Sequence, residues 1–211
     1  MRDQLLGYRR TDGRIGEKMA IAKSRESNSG AVLVDFEKDV VPSGDPGFLL
    51  FDEQGYEENG FVFSAMPASD GLIIATVEGL EMPGAVQAIA KLSALAVGSN
   101  PNQALAPNYP DADLVVNYQE IKGSSGMERE DFRFKGAYLS AFNGFYALDQ
   151  FEVTFTAYLD GELVGEFATM ATSGTFVRSG ITRKMDTLVI GASVDSVDGV
   201  NFWIDNAVFK S

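Results

Sequence analysis

Two polar pairs stand where strands should be apolar. Asp35 and Glu37 close the first strand-like run, AVLVDFE (31–37). Asp205 and Asn206 interrupt the last one, NFWIDNAVF (201–209), beside the chain's only tryptophan. Strands disfavour Asp and Asn, so such pairs need a reason. If the first and last strands lie side by side, Asp35, Glu37, Asp205 and Asn206 meet at one edge. Their oxygens, with strand-end carbonyls, make a hard-cation site. Ca²⁺ takes roughly six to eight such oxygens at flexible geometry. The alternative has Asp205 and Asn206 bonding backbone N–H groups of an adjacent loop, because buried polar groups need partners. DSVDG (195–199) lacks the spacing of an EF-hand loop.

Other chemistry is narrowed by what is missing. The 211 residues include no Cys and no His, which excludes the usual zinc sites, Cys nucleophiles and Ser-His-Asp triads. No GxGxxG, P-loop or GxSxG motif occurs. Carboxylates are so numerous that any pair of glycosidase type is uninformative. The chain therefore reads as non-enzymatic. Glycan recognition would need exposed aromatic platforms. Trp203, Tyr138 and Tyr146 are the leading candidates, with Tyr56 and Tyr109 behind them.

The elements that must position these groups are strands. From residue 31 onward, apolar residues alternate or form short runs bounded by Gly, Pro, Asn and Asp. FVFSA (61–65), LIIATVE (72–78), LVVNYQEI (114–121), DFRFKGAYLSAF (131–142), FEVTFTAYL (151–159) and ELVGEFATM (162–170) read as strands. Asp160-Gly161 joins the last two as a two-residue hairpin. TFVRSGI, DTLVIGASV and VNFWIDNAVF complete about ten strands. VQAIAKLSALAVG (86–98) fits a helix or two short strands, and GSSGMERE (123–130) reads as a mobile turn. The expectation is an all-β, antiparallel two-sheet β-sandwich of jelly-roll type over 31–211, with helix below about a fifth of the residues.

Charge divides the chain. Residues 1–30 hold seven basic and four acidic groups; the rest holds 10 basic and 26 acidic, a net of −16. The first 30 residues read as an extended basic arm. Leu5, Leu6 and Tyr8 are its apolar anchor, and Arg9, Arg10 and Arg14 are among its cations. A body this acidic repels phosphate backbones, so no nucleic-acid partner is expected. No run of about 18 apolar residues exists, so no membrane insertion is expected, and no signal peptide is seen.

The order of five short motifs resembles the lectin-like jelly-roll domains of bacterial surface and exported proteins, the PEP-CTERM group above all. They are Asp35-Phe36-Glu37, Gly60-Phe61-Val62-Phe63, Tyr138–Ala141, Tyr158–Gly161 and Ile204–Asn206, spread over about residues 31–209. The resemblance implies a sandwich fold, a lectin-like surface and a structural Ca²⁺ near the polar pairs. The usual export signal and sorting tail are not seen. A shorter stretch, LGYRRTDGRIGEK (6–18), resembles sugar-acid dehydratases, without that family's catalytic and metal-binding segments. Two functions follow. In the first, the chain is a structural protein held in a larger assembly by its arm, most concretely a phage capsid decoration or other virion protein. Neighbouring subunits or further copies of the chain would be its partners, and a virion or extracellular particle surface its location. In the second, it is a calcium-stabilised carbohydrate-binding module for a cell-surface polysaccharide. The basic arm against an acidic body favours the first.

Overall fold

Period-two alternation decides most of the architecture. The computed structural model describes residues 30–39, 41, 48–76, 80–93, 103–121, 127–195 and 197–210. The arm, with Leu5, Leu6, Tyr8, Arg9, Arg10 and Arg14, lies outside them. The strands run in chain order as β1 (Ala31–Val34), β2 (Phe48–Phe51), β3 (Tyr56–Glu58), β4 (Phe61–Met66) and β5 (Leu72–Ala75). Next come β6 (Ala104–Pro107), β7 (Asp113–Ile121), β8 (Met127–Arg129), β9 (Arg133–Phe142) and β10 (Gln150–Leu159). The last four are β11 (Glu162–Thr172), β12 (Thr175–Arg178), β13 (Thr187–Ser193) and β14 (Asn201–Lys210).

They form two seven-stranded sheets, antiparallel throughout. One runs β12-β9-β14-β6-β5-β2, with β1 also on β14; the other runs β11-β10-β13-β7-β4-β3, with β8 on β7. The chain passes back and forth between the sheets, as a jelly-roll sandwich requires. On β10 the inward positions Phe151, Val153, Phe155 and Ala157 are buried and the intervening ones are not. That burial drives sheet-on-sheet packing. Phe209 stacks on Phe61 at 4.0 Å and lies edge-on to Phe132 at 5.7 Å. The hairpin at Asp160-Gly161 forms as expected, both residues at positive φ (53° and 79°), the twist that suits a two-residue turn.

One open reading is resolved and three expectations change. The ambiguous segment 86–98 contributes to helix α1 (Pro83–Ser93). Its deciding signal is Ala85, Ala88, Ile89 and Leu92, an i, i+3, i+4, i+7 stripe, all buried against the outer face of the first sheet. Pro83 suits a first helical turn, where its missing N–H costs nothing. The segment read as a mobile turn contains β8, whose Met127–Arg129 pair with Gln119–Ile121. The first strand stops at Val34, short of Glu37, because Phe36 turns to φ 57° and gives its N–H to the Glu58 carboxylate at 3.0 Å. Fourteen strands, against about ten expected, are present among the described residues; the additional four, β2, β3, β6 and β8, are only three or four residues long and lie between the expected runs.

Candidate functional site

The first and last strands do lie side by side. β1 pairs with β14 in the register Val34↔Ala207, so Asp35 leaves the strand level with Asn206. There β14 bulges: its pairing with β9 slips between Asp205 and Val208, and Asn206 takes φ 49°. A bulge re-aims side chains at a sheet edge. Here it turns Asn206 back on its neighbour. The Asp205 carboxylate accepts from Asn206 N–H at 2.6 Å and from Asn206 Nδ2 at 2.8 Å. Asp205 is 4% exposed, and burial pushes its carboxyl up to about 7. The Asn206 bonds oppose that rise; the negative charges of Asp35 and Glu37 add to it. The structure thus brings together Asp35, Glu37, Asp205 and Asn206 from sequence positions about 170 apart. Among the described residues, no three carboxylates are disposed as a metal-coordinating set.

Sequence reasoning missed the fourth acid. Glu58 is buried, accepts from Phe36 N–H at 3.0 Å and Tyr56 Oη–H at 2.7 Å, and faces Asp35. Burial raises its carboxyl above the usual range; the Tyr56 bond lowers it and the Asp35 charge raises it again. Tyr56 is raised in turn, chiefly by burial and then by Glu58. Gln103 ties the same loop down. Its amide nitrogen donates to Phe36 O (3.2 Å) and Asp39 O (3.1 Å), and its oxygen accepts from Val41 N–H. The signal for Glu58 was present: in YEE, residues two apart share one face of a strand.

The aromatic candidates separate. Trp203 is buried beneath α1, stacked on Phe142 at 5.6 Å, with Nε1–H donating to Ala85 O at 3.2 Å. It therefore serves as core and cannot be a surface platform; Tyr56, equally buried, is set aside for the same reason. Tyr138 is half-buried and edge-on to Phe176 at 5.3 Å. Tyr146 is exposed beside the still more exposed Phe145, on a turn held by Asn143 Oδ1, which accepts from both backbone N–H groups.

Tyr109 has the richest surroundings. It lies with Asn108, Asp52, Gln54 and Asp70 along an open cleft of about 520 Å³, floored by Phe51 and Gly71. The walls are short turns fixed by hydrogen bonds from backbone N–H groups. Asn108 N–H donates to Gly71 O (3.1 Å), and Gln54 N–H donates to the Asp52 carboxylate (3.0 Å). Gly71 sits at φ 66° with no room for a Cβ, which would stand 2.5 Å from Phe51 O. An aromatic plate flanked by carboxylates and amides can stack on an apolar ring face and bond hydroxyls around its rim. The volume falls within the usual range for ligand pockets, about 300–1,000 Å³.

No protein-family model matches the chain, and no curated protein matches it. Among solved structures, it is similar to the crystal structure of a DUF4465 family protein from Bacteroides caccae. The two are 11% identical with a TM-score of 0.48, over 85% of this chain and 98% of that one.

Proposed function

We propose that the protein is a non-catalytic carbohydrate-binding module whose ligand lies in the Tyr109 cleft. The observation that carries this reading is the cleft itself: one half-exposed aromatic ring, two carboxylates and two amides, on turns fixed by the sandwich. Ligand sites of this kind combine an apolar surface with a few placed polar groups. A neutral glycan suits it, since the body's net charge of −16 disfavours anionic polymers. Calcium at Asp35, Glu37 and Asp205 belongs to the proposal as a closure of this corner around the ion, since the three carboxylates as they stand are not disposed as a coordinating set. Their oxygens are of the type a hard cation takes, and among the described residues no Lys or Arg forms an ion pair with them.

Titrating the full chain with a panel of neutral oligosaccharides tests this. At least one should bind, and Tyr109→Ala should weaken it tenfold or more, about 1.4 kcal/mol. Binding that is unchanged in Tyr109→Ala, or absent across the panel, sinks the reading. Incorporation into a larger assembly stands second. The feature that favours it is a strand edge that no strand among the described residues covers, on the opposite side of the sandwich from the cleft.

A further inference from the structure

Strand β11 ends its sheet: it pairs with β10 on one side and, among the described residues, with no strand on the other. Its two halves are treated differently. The first half is closed. Arg183 Nη1 donates to Val164 O at 3.2 Å, and Ile181 packs over Gly165. The second half, Ala168–Thr172, borders an open groove of about 360 Å³ whose far wall is Phe176 and Val177 of β12. Met170 is 64% exposed there.

The backbone on that edge is available for pairing. Ser173 N–H donates to Asp149 O at 3.0 Å, directly opposite in the β10–β11 register. Hydrogen-bonded pairs alternate along an antiparallel ladder. The N–H and C=O groups of Thr172, Met170 and Ala168 therefore point away from β10, out of the sheet. Thr175 Oγ1 donates to Thr172 O at 2.7 Å and Thr169 Oγ1 approaches Met170 O at 3.5 Å, which leaves each carbonyl a second lone pair. Natural edges are usually blunted by charge, proline or a bulge. This stretch, ATMAT, has none of them.

We infer that Ala168–Thr172 is a self-association edge, paired antiparallel with the same segment of a second copy about a twofold axis through Met170. The register chooses the occupant. Laid antiparallel on itself, the segment sets Ala168 against Thr172 and Thr169 against Ala171, with Met170 against its own copy. No like charges oppose one another, and Glu166 falls opposite the turn glycine Gly174. Self-complementarity of this kind is what a closed twofold interface demands. The Arg183 and Ile181 cover stops the pairing at the same place in both copies. Each chain carries a net charge of −13, so the copies repel at long range and pairing should strengthen as salt rises.

The full chain tests this cleanly, because it contains no cysteine. Sedimentation equilibrium should show a monomer–dimer equilibrium that shifts toward dimer at high salt. Met170→Cys should oxidise to a disulfide-linked dimer many times faster than Leu50→Cys, an exposed control on β2 at the opposite edge of the sandwich. Met170→Lys should abolish the dimer while leaving the circular dichroism unchanged. A wild-type monomer at every concentration and salt overturns the inference. So does equal cross-linking of the two cysteine variants, or a dimer that survives Met170→Lys. A monomer that instead takes up an added extended peptide would overturn the choice of a second copy.

Discussion

On one side of β14 the Phe209 ring stacks on Phe61 and touches Phe132 and Phe134; four residues earlier Asp205 faces Asp35 and Glu37. Both regions are buried, and they are held in different ways. The aromatic cluster gains from area removed from water, which is indifferent to pH. The carboxylate corner gains from hydrogen bonds that hold acids away from solvent, and its free energy depends on whether those acids carry protons. The bulge at Asp205–Asn206 lets one strand serve both. What the difference teaches is that a single strand, β14, joins a pH-indifferent aromatic cluster to a pH-sensitive carboxylate corner.

The largest effect should come from the aromatic side. Phe209→Ala leaves a cavity among the rings of Phe61, Phe63, Phe132 and Phe134 and should cost about 3–5 kcal/mol. Denaturant unfolding should give nearly the same loss at mildly acidic and mildly alkaline pH. A loss that changes strongly with pH would mean that the two regions are not separable.

Next is the pH dependence of the corner. Asp205 is raised from 3.8 to about 7 in the folded chain, so the fold binds its proton more tightly than the unfolded chain does. That stabilisation is complete below about pH 4 and is lost as pH climbs through 7, a fall of about 4 kcal/mol. Glu58 is raised too and acts in the same direction. Asp205→Asn should flatten the curve and leave the protein more stable than wild type above neutral pH. Calcium sharpens the comparison. If the ion binds here, excess Ca²⁺ removes the alkaline loss and a chelator restores it. A melting temperature indifferent to both removes calcium from the proposal and leaves the hydrogen-bonded corner.

The smallest effect is expected from Tyr56→Phe. It removes one donor from Glu58 and leaves the Phe36 N–H in place. The cost should be about 1–2 kcal/mol, greatest at high pH, where Glu58 is charged and the bond is strongest. Equal costs at low and high pH would show that Glu58 stays protonated throughout.

Much of this was legible in the chain. The alternation of FEVTFTAYL, the Asp160-Gly161 turn and the polar interruption at Asp205-Asn206 are local signals. They report which residues share a face and where the chain reverses, because side-chain direction in a strand repeats every two residues. They were sufficient for a two-sheet sandwich and for the meeting of Asp35, Glu37 and Asp205. Trp203 misled, since an aromatic in a strand looks the same whether its outer face meets solvent or a helix. The helix that covers it begins 120 residues earlier.

What tertiary structure alone decided lies in pairings between distant residues. Glu58 enters the corner because β3 packs beneath the loop after β1, 22 residues away in sequence. Gln103 ties that loop from 67 residues away, and the Tyr109 cleft collects turns from three separate strand ends. No local pattern encodes these meetings. Register and sheet order are set by how the apolar faces fit together over the whole core, and the polar groups go where that packing carries them.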